Sequence, residues 1–242
     1  MMDDEEFLKE YDVSKFERPS VTVDLVIFTI IDNDLRALFI KRGQHPFLNT
    51  WALPGGFVRM NESLEEAASR ELEEETGITA NDVYLEQLYT FGDPARDPRT
   101  RVITVAYFAL VDSEKIRPHV TGKEEIKDVK WLNAHNPPSN LAFDHGQILN
   151  YALKRLKYKL EYTAVGFELL PELFTLTDLQ GIYEIILNEK IDKRNFRKKM
   201  LNTKIVEPSK KFKEGGHRPA LLYRFKKSKG TLAFRKIKFE KP

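Results

Sequence analysis

Three glutamates set the chemistry this sequence could perform. Glu71, Glu74 and Glu75 lie at i, i+3 and i+4, a spacing that makes them neighbours on one side of a helix. Leu64, Ala67, Ala68 and Leu72 recur at helical intervals on the same side. Glu71 and Glu75 are therefore expected inside the core-facing stripe and Glu74 at its edge, with Glu65, Ser69 and Glu73 opposite. A buried carboxylate without a partner is costly, so such acids need cations or donors. Hard oxygen ligands in this arrangement suit Mg²⁺ or Mn²⁺. A surface helix whose acids pair with Arg70 and nearby lysines fits the periodicity equally well.

Two further groups carry positive charge. The stretch GDPARDPRTR holds Arg96, Arg99 and Arg101 between two Asp-Pro pairs and the following strand. It is expected to be a rigid, basic, exposed loop. Its guanidinium forks match phosphate oxygens and could grip a diphosphate, although a solvated loop of the same composition would look no different. Later, KRNFRKKML places Phe196 and Met200 on one side of a helix, with Lys193, Arg194, Arg197 and Lys198 on the other.

The elements that must position these groups can be read in order. Val21 to Ile31 is a β-branched run expected to be a strand buried on both faces. Asp32-Asn33-Asp34 turns the chain, and Leu35 to Ile40 returns as a second strand. Asp24 interrupts the first run and reads as a satisfied core acid rather than a site residue. A loop at Gly55-Gly56 leads into the acidic helix, which Asn61 or Ser63 can cap and Gly77 can close. Val83 to Phe91 and Val102 to Val111 are strand-like, and GKEEIKDVKWL gives two acids before a short strand ending in Trp131. Phe143 to Lys159 is an amphipathic helix presenting Ile148, Leu149, Ala152, Leu153 and Leu156. His145, near its start, reads as a cap or packing residue.

Beyond residue 160 the pattern changes. A helix capped at Thr175 or Thr177 runs to about Asn188, followed by the basic helix. Two short strands follow, Thr203 to Val206 and Ala220 to Phe225, around a loop carrying Lys210, Lys211, Lys213, His217 and Arg218. Helix, turn, basic helix and basic-tipped hairpin is the order of a winged helix. Its basic helix would enter a major groove, and its loop would meet phosphate or a minor groove.

Composition supports this division. Residues 1–159 hold 20 Lys and Arg against 27 Asp and Glu, a net of −7, whereas residues 160–242 hold 19 against 10, a net of +9. An acidic front and a basic back suggest two domains with different partners, the second a polyanion such as nucleic acid. The absence of cysteine excludes disulfides, zinc-thiolate sites and thiol catalysis. No signal peptide and no run long enough to span a membrane is visible, so a cytoplasmic location is expected.

Gly56, Glu62, Arg70-Glu71-Leu72, Glu73-Glu74-Glu75 and Gly77-Ile78 match the pattern G-x5-E-x7-R-E-U-x-E-E-x-G-U. The chain thereby resembles the Nudix family with its metal-binding helix undamaged. The resemblance implies an α/β fold, a Nudix α/β/α sandwich with a mixed sheet over residues 1–159. It also implies that Glu71, Glu74 and Glu75, with the Gly55 carbonyl, hold Mg²⁺ or Mn²⁺. Glu62 would stabilise the loop–helix turn, Arg70 would orient the glutamates, and Glu124 or, preferably, Glu125 would serve as base. Arg42, at the end of the second strand, would meet substrate phosphates near Gly56. The segment FGDPARDPRTRVITVAYFAL is similar to that of ADP-ribose-handling Nudix proteins and Nudix-related transcriptional regulators, which brings in Arg96, Arg99 and Arg101. FTLTDLQGIYE, DKRNFRKKM and GHRPALLYRF resemble the winged-helix half of those regulators, expected over residues 160–242, with Lys193, Arg194, Arg197, Lys198, Lys211 and Arg218 toward double-stranded DNA. The activity implied is metal-dependent hydrolysis of ADP-ribose or a related nucleoside-diphosphate compound into two monophosphates. The alternative is a homodimeric regulator that senses a nucleotide-sugar ligand and binds a palindromic operator. Some such regulators have a decayed box; this one is intact.

Overall fold

The computed structural model describes residues 3–77, 79–80, 83–112, 125–214 and 219–226. A short helix α1 (Asp4–Glu10) precedes the sheet strands β1 (Ser20–Ile31), β2 (Asp34–Arg42), β3 (Trp51–Ala52) and β4 (Gly55–Phe57). Helix α2 (Leu64–Thr76), strands β5 (Tyr84–Phe91), β6 (Val102–Leu110) and β7 (Ile126–Asn133), and helix α3 (His145–Tyr162) complete the first part of the chain. The sheet runs β3-β2-β1-β6-β5, with β4 paired to β1 and β7 to β2. It is mixed because β1 and β6 are parallel while its other pairs are antiparallel.

Strand β1 explains the layering. Val23, Leu25 and Ile27 face α2, packing with Ala67, Ala68 and Leu72, while Val26 and Phe28 face α3 with Ile148, Leu149 and Ala152. Successive side chains alternate across a strand, so a run that is apolar at every position feeds two cores at once. Asp32 and Asn33 both adopt positive φ in the turn to β2, a conformation that short polar side chains tolerate. Ser63 caps α2 in a reciprocal box with Glu66, and Gly77 ends it in the left-handed region at φ 71°, the conformation that favours glycine there.

The second part begins at a 3₁₀ turn, Val165–Leu169. It holds α4 (Leu176–Leu187), α5 (Lys193–Asn202) and the hairpin β8 (Val206–Lys213) and β9 (Ala220–Phe225). This is a small winged-helix domain following the α/β/α sandwich. Thr175 and Asp178 form the capping box of α4. The first hairpin strand lies later than Thr203–Val206: Thr203 and Lys204 form the turn after α5, with Lys204 at positive φ. Ile205 and Val206 are instead the buried residues that start the wing. Phe174 exchanges two backbone hydrogen bonds with Tyr223, tying the segment before α4 to the wing.

One apolar cluster runs from Phe28 through Leu156 to Tyr183, Phe196 and Met200, so the two parts share a core along α3. The last carbonyls of α4 are met by the first part: the His135 Nε2–H donates to Ile185 O at 3.0 Å and Lys157 Nζ donates to Leu187 O at 3.1 Å. Helix ends leave such carbonyls without intrahelical partners, and donors there also complement the helix dipole. None of the described helices is long and apolar enough to cross a membrane.

Candidate ligand cleft and acidic helix

Gly55 and Gly56 join the two halves of the site. A Cβ at Gly55 would lie 2.3 Å from Val23 O, and one at Gly56 would lie 2.2 Å from Glu71 Oε1. Only glycine permits both approaches. On one side of this wall is α2. Glu71 is buried, as the helical stripe requires. Arg70 Nη1 donates to Glu71 Oε1 at 2.5 Å and to Glu74 Oε2 at 3.4 Å. Arg70 also grips Glu62 through Nε at 2.9 Å and Nη2 at 2.6 Å, and reaches Phe57 O at 3.1 Å. The Arg70 guanidinium hydrogen-bonded to Glu62 holds that carboxyl down to about 2, helped by the Arg59 N–H. Glu62 thus ties the loop to the helix. Glu75 is a residue of α2, but its side chain lies outside the described residues, as does all of Glu124.

The other side of the wall is a cleft lined by Thr22, Asp24, Arg42, Phe57, Arg96, Arg99, Glu125, Phe143 and His145. Arg42 lies 5.0 Å over Phe143, and Arg99 lies 5.6 Å from Phe57 and 5.7 Å from Phe143. Arg42 Nε donates to Pro46 O, while Arg99 is paired with Asp97 at 2.8 Å. Glu125 sits exposed at the cleft mouth, and its carbonyl accepts from Gly43 N–H.

The loop expected to be exposed is only partly so. Arg96 and Asp97 are buried. Arg96 Nη2 pairs with Asp24 at 3.0 Å, and with Nε it forms a fork on Asp144 at 2.7 and 2.9 Å. A buried guanidinium needs such a carboxylate cage, and two Asp side chains raise its pKa further against the opposing effect of burial. Arg101 is exposed and is not among the residues lining the cleft. Asp24 is satisfied, as expected, yet it also lines the cleft. His145 does not cap α3: Asp144 takes the N-cap position, and the His145 ring accepts Leu53 N–H at Nδ1 at 2.8 Å. Phe57, Phe143 and Thr22 could not be singled out in sequence, because their significance comes only from sharing one cleft.

Glu71 and Glu74 converge on the same Arg70 nitrogen, so a positive charge already bridges them. Both offer hard oxygen donors beside a backbone kept open by Gly56, which suits a divalent cation. Among the described residues no three His, Cys, Asp or Glu side chains converge tightly enough to hold a metal by themselves.

In the second part, Phe196 and Met200 are buried while Lys193, Arg194, Arg197 and Lys198 are exposed on α5. Lys211 is exposed on β8. Lys213 is paired with Asp178 at 3.3 Å. Arg218 and His217 lie outside the described residues.

A mixed sheet between helices, an acidic capped helix beside a cleft, and an appended winged helix define a two-domain Nudix-type architecture. The NUDIX domain model matches residues 21–152 and the NrtR DNA-binding winged helix domain model matches residues 166–225. The chain belongs to the Nudix family and carries an NrtR-type winged helix. It is 41% identical over 222 residues to an ADPR responsive transcriptional repressor, NtrR, of Acinetobacter baylyi, covering 90% of this chain and 87% of that protein. It is 36% identical over 145 residues to an ADP-ribose pyrophosphatase of Methanocaldococcus jannaschii, covering 59% and 79%. The crystal structure of Shewanella oneidensis NrtR complexed with a 27mer DNA is similar at a TM-score of 0.73 and 36% identity, covering 85% and 93%. The first domain therefore has the Nudix hydrolase fold, a family that uses divalent metal ions.

Proposed function

We propose that this protein is an ADP-ribose-responsive transcriptional regulator that binds operator DNA through its winged helix. The observation that carries this reading is the exposed row Lys193, Arg194, Arg197 and Lys198 on a helix whose inner residues belong to the core shared with the cleft domain. A ligand entering the cleft can thus bias a DNA-binding surface through packed structure rather than through a loose tether. In the cleft, Arg42 and Arg99 would meet the diphosphate, and the rings of Phe57 and Phe143 offer flat apolar surface. Arg96 would act indirectly by holding Asp24 and Asp144. Lys211 and Arg218 would add phosphate contacts from the wing. A two-fold dimer matched to a palindromic operator in the cytoplasm fits this role. We retain the division at residues 159/160, which the two matched segments flank, although α3 continues to Tyr162.

The test is retardation of DNA from upstream of the protein's own gene. Salt-sensitive retardation that ADP-ribose relieves is the expected result; retardation indifferent to ADP-ribose would remove the sensor reading.

A second reading, hydrolysis of the same ligand, is favoured by the intact set Glu71, Glu74 and Glu75. These residues, with Gly55 O, would hold Mg²⁺ or Mn²⁺, an ion that supplies Lewis-acid stabilisation of diphosphate charge. Arg70 would keep Glu71 and Glu74 aligned, and Glu125 at the cleft mouth would accept a proton from the attacking water. Glu74→Gln is then expected to lower Mg²⁺-dependent ADP-ribose turnover at least about tenfold. Equal turnover in the variant would leave Glu74 without a role in the reaction, and a wild-type chain with no Mg²⁺-dependent turnover would be a sensor only.

A further inference from the structure

Three polar groups at the floor of the cleft are left unexplained by diphosphate binding. Thr22 and Asp24 are two apart on β1 and point to the same side of the sheet. His145 stands opposite at the start of α3. All three are more than nine-tenths buried. Thr22 Oγ1 has no hydrogen-bond partner among the described residues, whereas buried hydroxyls in folded proteins nearly always find one.

His145 is fixed in one tautomer. Its Nδ1 accepts Leu53 N–H, and burial lowers its pKa, so the neutral ring carries its proton on Nε2. Nε2 lies 3.6 Å from Asp24 Oδ1, too far for a direct hydrogen bond. Asp24 Oδ2 is already committed to Arg96. The floor therefore holds one carboxylate acceptor, one imidazole donor and one hydroxyl.

A donor and an acceptor at this spacing match a group that both donates and accepts, and a sugar hydroxyl does so with a single oxygen. Carboxylates are the usual protein partners of ribose hydroxyls, and a negative charge in that position repels a phosphate there. We infer that Thr22, Asp24 and His145 form a ribose-hydroxyl site that selects a nucleoside diphosphate with an unmodified sugar. The inference rests on the diphosphate-sugar reading above. Asp24 Oδ1 accepts a hydrogen bond from the 2-hydroxyl, His145 Nε2–H donates to the same oxygen, and Thr22 serves the neighbouring hydroxyl of the diol.

ADP-ribose contains two riboses, and calorimetric titration of the full chain separates them. The ligands are ADP-ribose and its two monodeoxy analogues, one lacking the 2-hydroxyl on the adenosine ribose and the other lacking it on the distal ribose. One analogue is expected to bind at least about tenfold more weakly than ADP-ribose, which identifies the ribose held. Asp24→Asn keeps the size and an acceptor for Arg96 but can turn a donor toward His145. It is expected to bind ADP-ribose and that analogue equally weakly. Thr22→Val removes a hydroxyl that has no partner among the described residues, so it should unfold at the wild-type temperature or above while binding ADP-ribose several-fold more weakly. Wild-type protein that binds both analogues as tightly as ADP-ribose, or Asp24→Asn protein that still discriminates, overturns the inference alone. Failure of the wild-type chain to bind ADP-ribose at all overturns the sensor reading and the inference with it.

Discussion

A double variant carrying Arg194→Ala and Arg197→Ala is expected to bind its DNA about a hundredfold more weakly near physiological salt, with the salt slope reduced by about 2. Both side chains are exposed, and α5 is held by Phe196 and Met200 on its opposite side. Alanine favours helix, so the element should persist and far-ultraviolet dichroism should not change. The slope carries the diagnosis. Each lost phosphate contact returns roughly one counterion, so an unchanged slope would mean that these arginines do not touch the DNA backbone. A slope reduced by only about 1, with relaxed sequence preference, would instead place one of them at a base edge, where a bidentate contact to guanine discriminates by about 1–3 kcal/mol.

Arg96→Ala is expected to cost about 3–5 kcal/mol of folding stability, because it leaves Asp24 and Asp144 buried without their cation. The Arg96 side chain is only 4% exposed, and every hydrogen bond described for it ends on one of those two carboxylates. A domain is commonly stable by about 5–15 kcal/mol, so urea unfolding should show the loss plainly. Arg99→Ala should behave differently. Its side chain is 44% exposed, and its loss opens the Asp97 carboxylate to water, so stability should fall by less than in Arg96→Ala while ADP-ribose affinity falls. An Arg96→Ala protein with wild-type stability and selectively impaired ligand binding would reverse these assignments and return Arg96 to the diphosphate.

The contrast between those two arginines shows where sequence reasoning stops. Both stand in one Asp-Pro-rich loop with nearly identical local chemistry, yet one is caged in the interior and the other stacks over aromatic rings at the cleft. The cage is made by Asp24 on β1 and Asp144 before α3, groups 72 and 48 residues away. No local pattern contains that information. The first hairpin strand differs for a related reason: its sequence pattern starts a strand at Thr203, but burial of Ile205 and Val206 against the shared core sets where the wing begins.

The acidic helix is the opposite case. Leu64, Ala67, Ala68 and Leu72 recur at helical spacing, Ser63 and Glu66 cap one end and Gly77 the other, so the helix, its buried side and the placement of Glu71 follow from short-range periodicity. The basic side of α5 is legible by the same rule. A helix brings residues three and four apart together whatever surrounds it, and the sequence by itself therefore determined these two surfaces. Only the tertiary structure decided what stands opposite them. It set Arg70 between Glu62, Glu71 and Glu74, pressed Glu71 against the backbone of Gly56, and closed a cleft over Thr22, Asp24 and His145. Those contacts depend on strand register and on the seating of α3 over the sheet, and both are settled by packing between distant segments.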